Sequence, residues 1–186
     1  MNHSNVLILP GWQGSGPDHW QSRWERLHGY TRVEQHDWMR PLRGDWIARL
    51  EDVLLACDVE RDGPAVLVAH SLGCQHVAAW ASHSRNTHRV KAALLVAPAD
   101  VERDDVRMLL PSWTPIPLAK LPFKTLLFAS SNDPFCSPVR ARQFASAWGT
   151  DFTDVGACGH LNAESGLGDW PQAHAQLRRL MGDTPA

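Results

Sequence analysis

The stretch AVLVAHSLGC, residues 65–74, runs through five apolar residues and then breaks into His-Ser-Leu-Gly. Its first half reads as a strand buried on both faces, because it is rich in valine and leucine and lacks polar alternation. Its second half reads as the entry to a helix, with Ser71 at the turn. Serine is a favoured N-cap, since its hydroxyl accepts from the free amides of a first turn. Ser71 can therefore serve the helix alone, or it can be a nucleophile displayed on a sharp strand-to-helix turn. A turn that tight needs small residues two places before and two places after the serine, and here these are Ala69 and Gly73. The G-x-S-x-G elbow pattern is met at its second glycine and carries alanine at its first.

Three further runs share the character of 65–69: residues 5–9 (NVLIL), 90–97 (VKAALLVA) and 124–130 (KTLLFAS). Residues 31–35 (TRVEQ) and 151–155 (DFTDV) are weaker strand candidates. Between the runs lie segments with helical spacing. Residues 18–28 put Trp20, Trp24 and Leu27 on one face, and residues 44–57 do so with Trp46, Ile47, Leu50, Val53 and Leu54. Residues 72–83, with Val77 and Trp80, and residues 138–148 and 169–181 complete the helices. Strand and helix alternate along almost the whole chain. That order predicts an α/β fold of three layers, doubly wound, with a mostly or wholly parallel sheet of about six strands. The 186 residues suit one domain, 1–186. Residues 98–122 interrupt the rhythm with five prolines around Trp113 and read as a loop or minimal cap.

An open parallel sheet binds ligands beyond the carboxyl ends of its strands. The residues that follow each run therefore matter most. PGWQGSGPDHW follows the first run, HSLGC the run at 65–69, and PAD with Asp100 the run at 90–97. SNDPFCS with Asp133 follows the run at 124–130, and GACGHLN with His160 follows the last. A serine, a carboxylate and a histidine thus come off one sheet edge in the order Ser, Asp, His, which is the order of α/β-hydrolases. Serine needs a base to be nucleophilic at neutral pH, and His160 sits in a flexible turn from which its ring can reach Ser71. Asp133 is the preferred partner for His160, and Asp100 is its competitor from the neighbouring loop. An oxyanion needs two donors. One is the N–H of Leu72, at a helix N-terminus whose dipole favours negative charge. The other is the N–H of Trp12, in a loop whose glycines at 11, 14 and 16 permit close approach. As a phosphate loop that stretch lacks the G-K-[ST] ending and the dinucleotide spacing. His70, whose neighbour is Ser71, is expected to be structural or pocket-lining.

Composition narrows the function further. With 44% hydrophobic and 20% charged residues and a net charge of −2, the chain offers no basic stripe for nucleic acid or an anionic membrane. Its four cysteines, at 57, 74, 136 and 158, show no C-x-x-C spacing, so neither a zinc knuckle nor a dithiol motif is read. Cys136 and Cys158 flank the candidate acid and base and are expected to be small buried apolar residues. The apolar run before Pro10 is too short for a signal sequence, and no stretch has the length of a membrane span. A cytoplasmic protein is the expectation, and no oligomeric state can be read. Of the nine tryptophans, Trp24, Trp46 and Trp80 lie on apolar helical faces and belong to the core, whereas Trp12, Trp20 and Trp113 are pocket candidates.

LPGWQGSGPDHWQ near the start, AHSLGC, SSNDPFCS and CGHLNAESGLGDWP together resemble the small serine hydrolases of the α/β-hydrolase superfamily typified by retinoblastoma-binding protein nine. The resemblance covers nearly the whole chain. It implies a compact α/β-hydrolase fold, with Ser71 as nucleophile, Asp133 as acid and His160 as base. It also implies that His19, Trp20 and residues 162–170 shape the pocket region. The expected reaction is hydrolysis of a small ester or related acyl compound through an acyl-enzyme, with a small-molecule acyl substrate as partner and no cofactor or metal. Thioester or amide cleavage on the same residues, and a catalytically silent binding domain, are the alternatives. A dehalogenase would want a carboxylate in place of Ser71.

Overall fold

The computed structural model describes residues 5–182, so the reading of the extreme N-terminus falls partly outside the described residues. Six strands appear: β1 (Val6–Leu9), β2 (Thr31–Arg32), β3 (Ala65–His70), β4 (Val90–Val96), β5 (Lys124–Ala129) and β6 (Asp151–Asp154). The helices are α1 (Trp20–His28), α2 (Arg43–Ala56), α3 (Val59–Asp62), α4 (Leu72–His83), α5 (Asp104–Arg107), α6 (Pro138–Trp148) and α7 (Pro171–Met181). The strands form one sheet in the order β2-β1-β3-β4-β5-β6, and every pairing is parallel. Chain order reverses between β1 and β3, which places a crevice above the carboxyl ends of those two strands.

The unbroken apolar runs have a simple cause. Successive strand residues point to opposite faces, and here both faces are covered. Leu7, Leu9, Leu67, Ala69, Ala93, Leu95, Leu127 and Ala129 face one core, shared with Trp46 of α2, Trp80 of α4 and Trp148 of α6. Val6, Ile8, Val66, Val68, Ala92, Leu94, Val96 and Phe128 face the other, shared with Trp20 and Trp24 of α1 and Leu177 of α7. Each fully buried Leu, Val or Ile contributes roughly 1.5–3 kcal/mol, so the central strands anchor the molecule.

The two weaker strand candidates are the two edges of the sheet. β2 keeps only two of the five expected residues, although Val33 N–H still donates to Ile8 O at 2.9 Å. Leu27 departs from expectation and stands 55% exposed. Burial in α1 is confined to Trp20, Gln21, Ser22 and Trp24, and the last turn runs on into solvent toward its Gly29 cap.

Residues 98–122 contain α5 and a 3-10 turn at Pro111–Trp113. They send Val101, Leu110, Trp113, Ile116 and Leu121 into the core beside α2, α4 and α6. Trp113 is therefore a core residue and not a pocket wall: it is 1% exposed, crosses Trp46 edge-on at 5.3 Å, and donates its Nε1–H to Pro41 O at 2.9 Å. At the opposite end of the sheet, the chain's three lysines, Lys91, Lys120 and Lys124, line one shallow depression by the starts of β4 and β5. Among the described residues, no helix is long and apolar enough to cross a membrane.

Candidate active site

β3 passes into α4 through Ser71 alone, whose φ of 55° and ψ of −119° lie outside the regions an L-residue prefers. A residue held so costs on the order of 1–3 kcal/mol and persists only where its surroundings over-determine it. They do so here by backbone contact. A Cβ on Gly73 would lie 2.2 Å from Leu9 O, so no side chain fits there. A Cβ on Gly11 would lie 2.8 Å from the Ser71 Cβ and 3.3 Å from Leu72 N. The Ala69 methyl, by contrast, is absorbed in the core beneath α4. Ser71 N–H donates to Val96 O at 3.0 Å and ties the turn to β4.

Although Ser71 occupies the N-cap position of α4, its hydroxyl makes no capping bond. Ser71 Oγ instead lies 2.8 Å from His160 Nε2, and His160 Nδ1 lies 2.9 Å from both carboxylate oxygens of Asp133. A carboxylate only accepts, so Nδ1 carries the ring proton and Nε2 is left to accept from the serine. The Asp133 side chain is 2% exposed and also accepts from Phe135 N–H at 2.8 Å. Asp100 is not brought to this ring. Its carboxylate pairs with Arg140 Nε at 3.3 Å and accepts from Glu102 N–H at 3.3 Å.

The loop carrying His160 is gripped residue by residue from the end of β5. Ser130 Oγ accepts from Cys158 N–H at 2.9 Å, Asn132 Oδ1 accepts from Gly159 N–H at 2.7 Å, and Asp133 accepts from His160. Ser130 and Asn132 were not singled out from the sequence; their signal is their place in SSNDPF, immediately before Asp133. Gln21 was also missed. Wholly buried, its amide donates to Leu9 O at 3.2 Å and Val68 O at 3.0 Å, closing the carboxyl ends of β1 and β3.

Gly11 closes on Ser71 and on Leu72 N, and Trp12 is the next residue along that loop. Among the described residues, neither the Trp12 nor the Leu72 N–H donates to a protein acceptor. Two unused amides, one at a helix N-terminus, are suited to a developing oxyanion. Trp12 anchors its half-buried indole on Met39 O at 3.0 Å. Phe135, 45% exposed, stands edge-on to His160 at 4.6 Å. A cavity of about 420 Å³ opens against His160 between Phe135, Ala157, Asn162 and Glu164.

The remaining pocket candidates lie behind the site. Trp20 is 1% exposed, and His19 and His70 are buried. Burial, with His160 and Arg32 nearby, pushes His19 down to about 3, and burial also holds His70 well below the usual imidazole range. All three therefore support the site as neutral groups and do not line it. Cys136 is a buried apolar residue, its thiol pushed up by burial and by Asp133 to about 12. Cys158 is only half-buried. Among the described residues, no group of three or more His, Cys, Asp or Glu side chains is arranged to hold a metal ion.

Residues 6–179 match the protein family described as serine hydrolase. The chain is similar to a YdeN-like hydrolase from Pectobacterium atrosepticum, at 30% identity and a TM-score of 0.82, over 97% of this chain and 92% of that one. It is also similar to the ydeN gene product of B. subtilis, at 18% identity and a TM-score of 0.75, over 96% and 99% of the two chains. A propionate-bound esterase from Thermogutta terrifontis aligns at 16% identity and a TM-score of 0.68, over 98% and 85%, a likeness of α/β-hydrolase fold alone. No curated protein sequence matches.

Proposed function

The chain belongs to the serine hydrolase family, and from that premise we propose that it hydrolyses a small ester or related acyl compound through an acyl-enzyme on Ser71. The observation that carries this reading is His160, held between Ser71 Oγ at 2.8 Å and the Asp133 carboxylate at 2.9 Å. Ser71 Oγ attacks the acyl carbonyl as His160 Nε2 takes its proton. The carbonyl oxygen becomes an oxyanion between the Leu72 and Trp12 amides. Asp133 keeps the proton on Nδ1 and stabilises the imidazolium. His160 then protonates the leaving alkoxide, and the carbon–oxygen bond breaks to give the ester of Ser71. Water, deprotonated by His160, attacks that ester, and the carboxylic acid leaves as Ser71 recovers its proton. The amides supply on the order of 3 kcal/mol each to the transition state.

Phe135, 45% exposed and edge-on to His160 at 4.6 Å, supports an apolar acyl group over a charged one. The motifs that resemble the retinoblastoma-binding protein nine type agree with a compact hydrolase for small substrates. Purified protein is expected to react with a fluorophosphonate and to turn over p-nitrophenyl acetate, and Ser71→Ala is expected to lose both. Failure of the native protein in both assays sinks the proposal. Labelling without ester turnover moves the substrate to a thioester or an amide.

A further inference from the structure

Two buried ring N–H groups meet the loop of His160 at consecutive carbonyls. His70 Nε2 lies 2.8 Å from His160 O, and Trp20 Nε1 donates to Leu161 O at 2.8 Å. We infer that His70 and Trp20 are positioning residues that clamp the backbone of the general base, a role that rests on the acyl-transfer reading of the site.

The clamp joins elements that must keep register for catalysis. His70 is the last residue of β3, directly before Ser71, and Trp20 is the first residue of α1, reached through the loop that carries the Trp12 amide. The side chain of His160 is fixed by Asp133 from β5's end. The amides before His160 are held from the same end by Ser130 and Asn132, whereas its carbonyl and that of Leu161 are held from the two elements that bring the nucleophile and an oxyanion donor. The need for such a hold is visible in the backbone. Gly159 has a φ of 61° and Leu161, which is not a glycine, a φ of 50°. A side-chain-bearing residue in this region is strained and returns to extended geometry unless it is restrained.

The donors are themselves constrained. An indole N–H can only donate, so Trp20 has no alternative orientation. The carbonyl of His160 can only accept, so His70 must present Nε2–H. His70 packs at 4.9 Å from the His160 ring and at 6.2 Å, perpendicular, from Trp20. His19 stands edge-on to His70 at 4.7 Å, with its own Nε2 buried and without a protein partner. Both clamping rings are thus wedged in place by neighbouring rings.

The experiment compares His70→Phe, which keeps a ring and loses the donor, with His70→Gln, which keeps an N–H at similar reach. Native protein is first labelled with a fluorophosphonate; no labelling means the acyl-transfer reading has failed, before any variant is judged. With that in hand, His70→Phe is expected to lower kcat by about 10- to 100-fold with KM unchanged, the effect of a displacement of about 1 Å in a reacting group. His70→Gln should recover kcat to within a few-fold of native. Native kcat in His70→Phe, or a His70→Gln as slow as His70→Phe, overturns the inference. Should His70→Phe fail to fold, Trp20→Phe decides: a fall in kcat at constant KM supports the clamp, and native kcat overturns it.

Discussion

Acidification should unfold this protein through histidines that take no part in the chemistry. His19, His70 and His76 are buried and neutral. His19 is held down to about 3 by burial, then His160 and Arg32; His76 is held to about 4 by burial, against its bond to Trp46 O; and His70 is held well below its usual value by burial first. In the unfolded chain each takes up a proton near 6.5. Their folded values lie lower, so the unfolded state binds more protons between about pH 6.5 and about pH 4. The stability they allow is intact above the unfolded value and lost as pH falls through that window. From about pH 7.5 to about pH 5, His19 and His76 each forfeit about 2 kcal/mol, about 4 kcal/mol together, and His70 adds to the loss in the same direction. That is comparable with the whole stability of a domain, roughly 5–15 kcal/mol. Urea unfolding at the two pH values, followed by the fluorescence of the nine tryptophans, measures it directly. His76→Gln, which keeps a donor for Trp46 O, should reduce the acid loss by about 2 kcal/mol. A total loss below about 2 kcal/mol, or a His76→Gln variant as acid-sensitive as the native protein, would refute the reasoning.

Two further outcomes follow from the site. Asp133→Asn should cut kcat by roughly 10⁴-fold, the effect expected when the acid of such a triad is neutralised, whereas Asp100→Asn, which loosens only the Arg140 pairing, should stay within a few-fold of native; a reversed pattern in ester turnover would return the acid to Asp100. Gly73→Ala, whose methyl would sit 2.2 Å from Leu9 O, should lower Tm sharply, while Gly11→Ala, pressed on the Ser71 Cβ, should impair turnover more than melting; a Gly73→Ala protein with native Tm would contradict the packing described.

The sequence disclosed what repeats and concealed what is singular. The four strong apolar runs became the four central strands because each must satisfy two cores at once, a demand written in every residue. The edges were faint because β2 and β6 answer to one neighbour each, so Thr31 and Asp151 can remain polar. The loop order Ser, Asp, His was legible because parallel strands deliver their carboxyl ends to one side. Trp113 was misplaced because proline-rich sequence looks like solvent-facing loop, while its core role depends on the carbonyl of Pro41 from a distant segment. Gln21 and Asn132 stayed hidden for a like reason: each pairs with one nearby serine, but its structural role lies in bonds to main-chain atoms of other segments, and no pattern of side chains announces a main-chain partner.

The three lysines have a practical meaning that is separate from catalysis. Lys91, Lys120 and Lys124 are the chain's only side-chain amines, and all sit at the starts of β4 and β5, across the full length of the sheet from Ser71. Coupling through lysine amines to a resin or a sensor surface will therefore orient the molecule, with Ser71 facing the solution and its attachment points at the far pole.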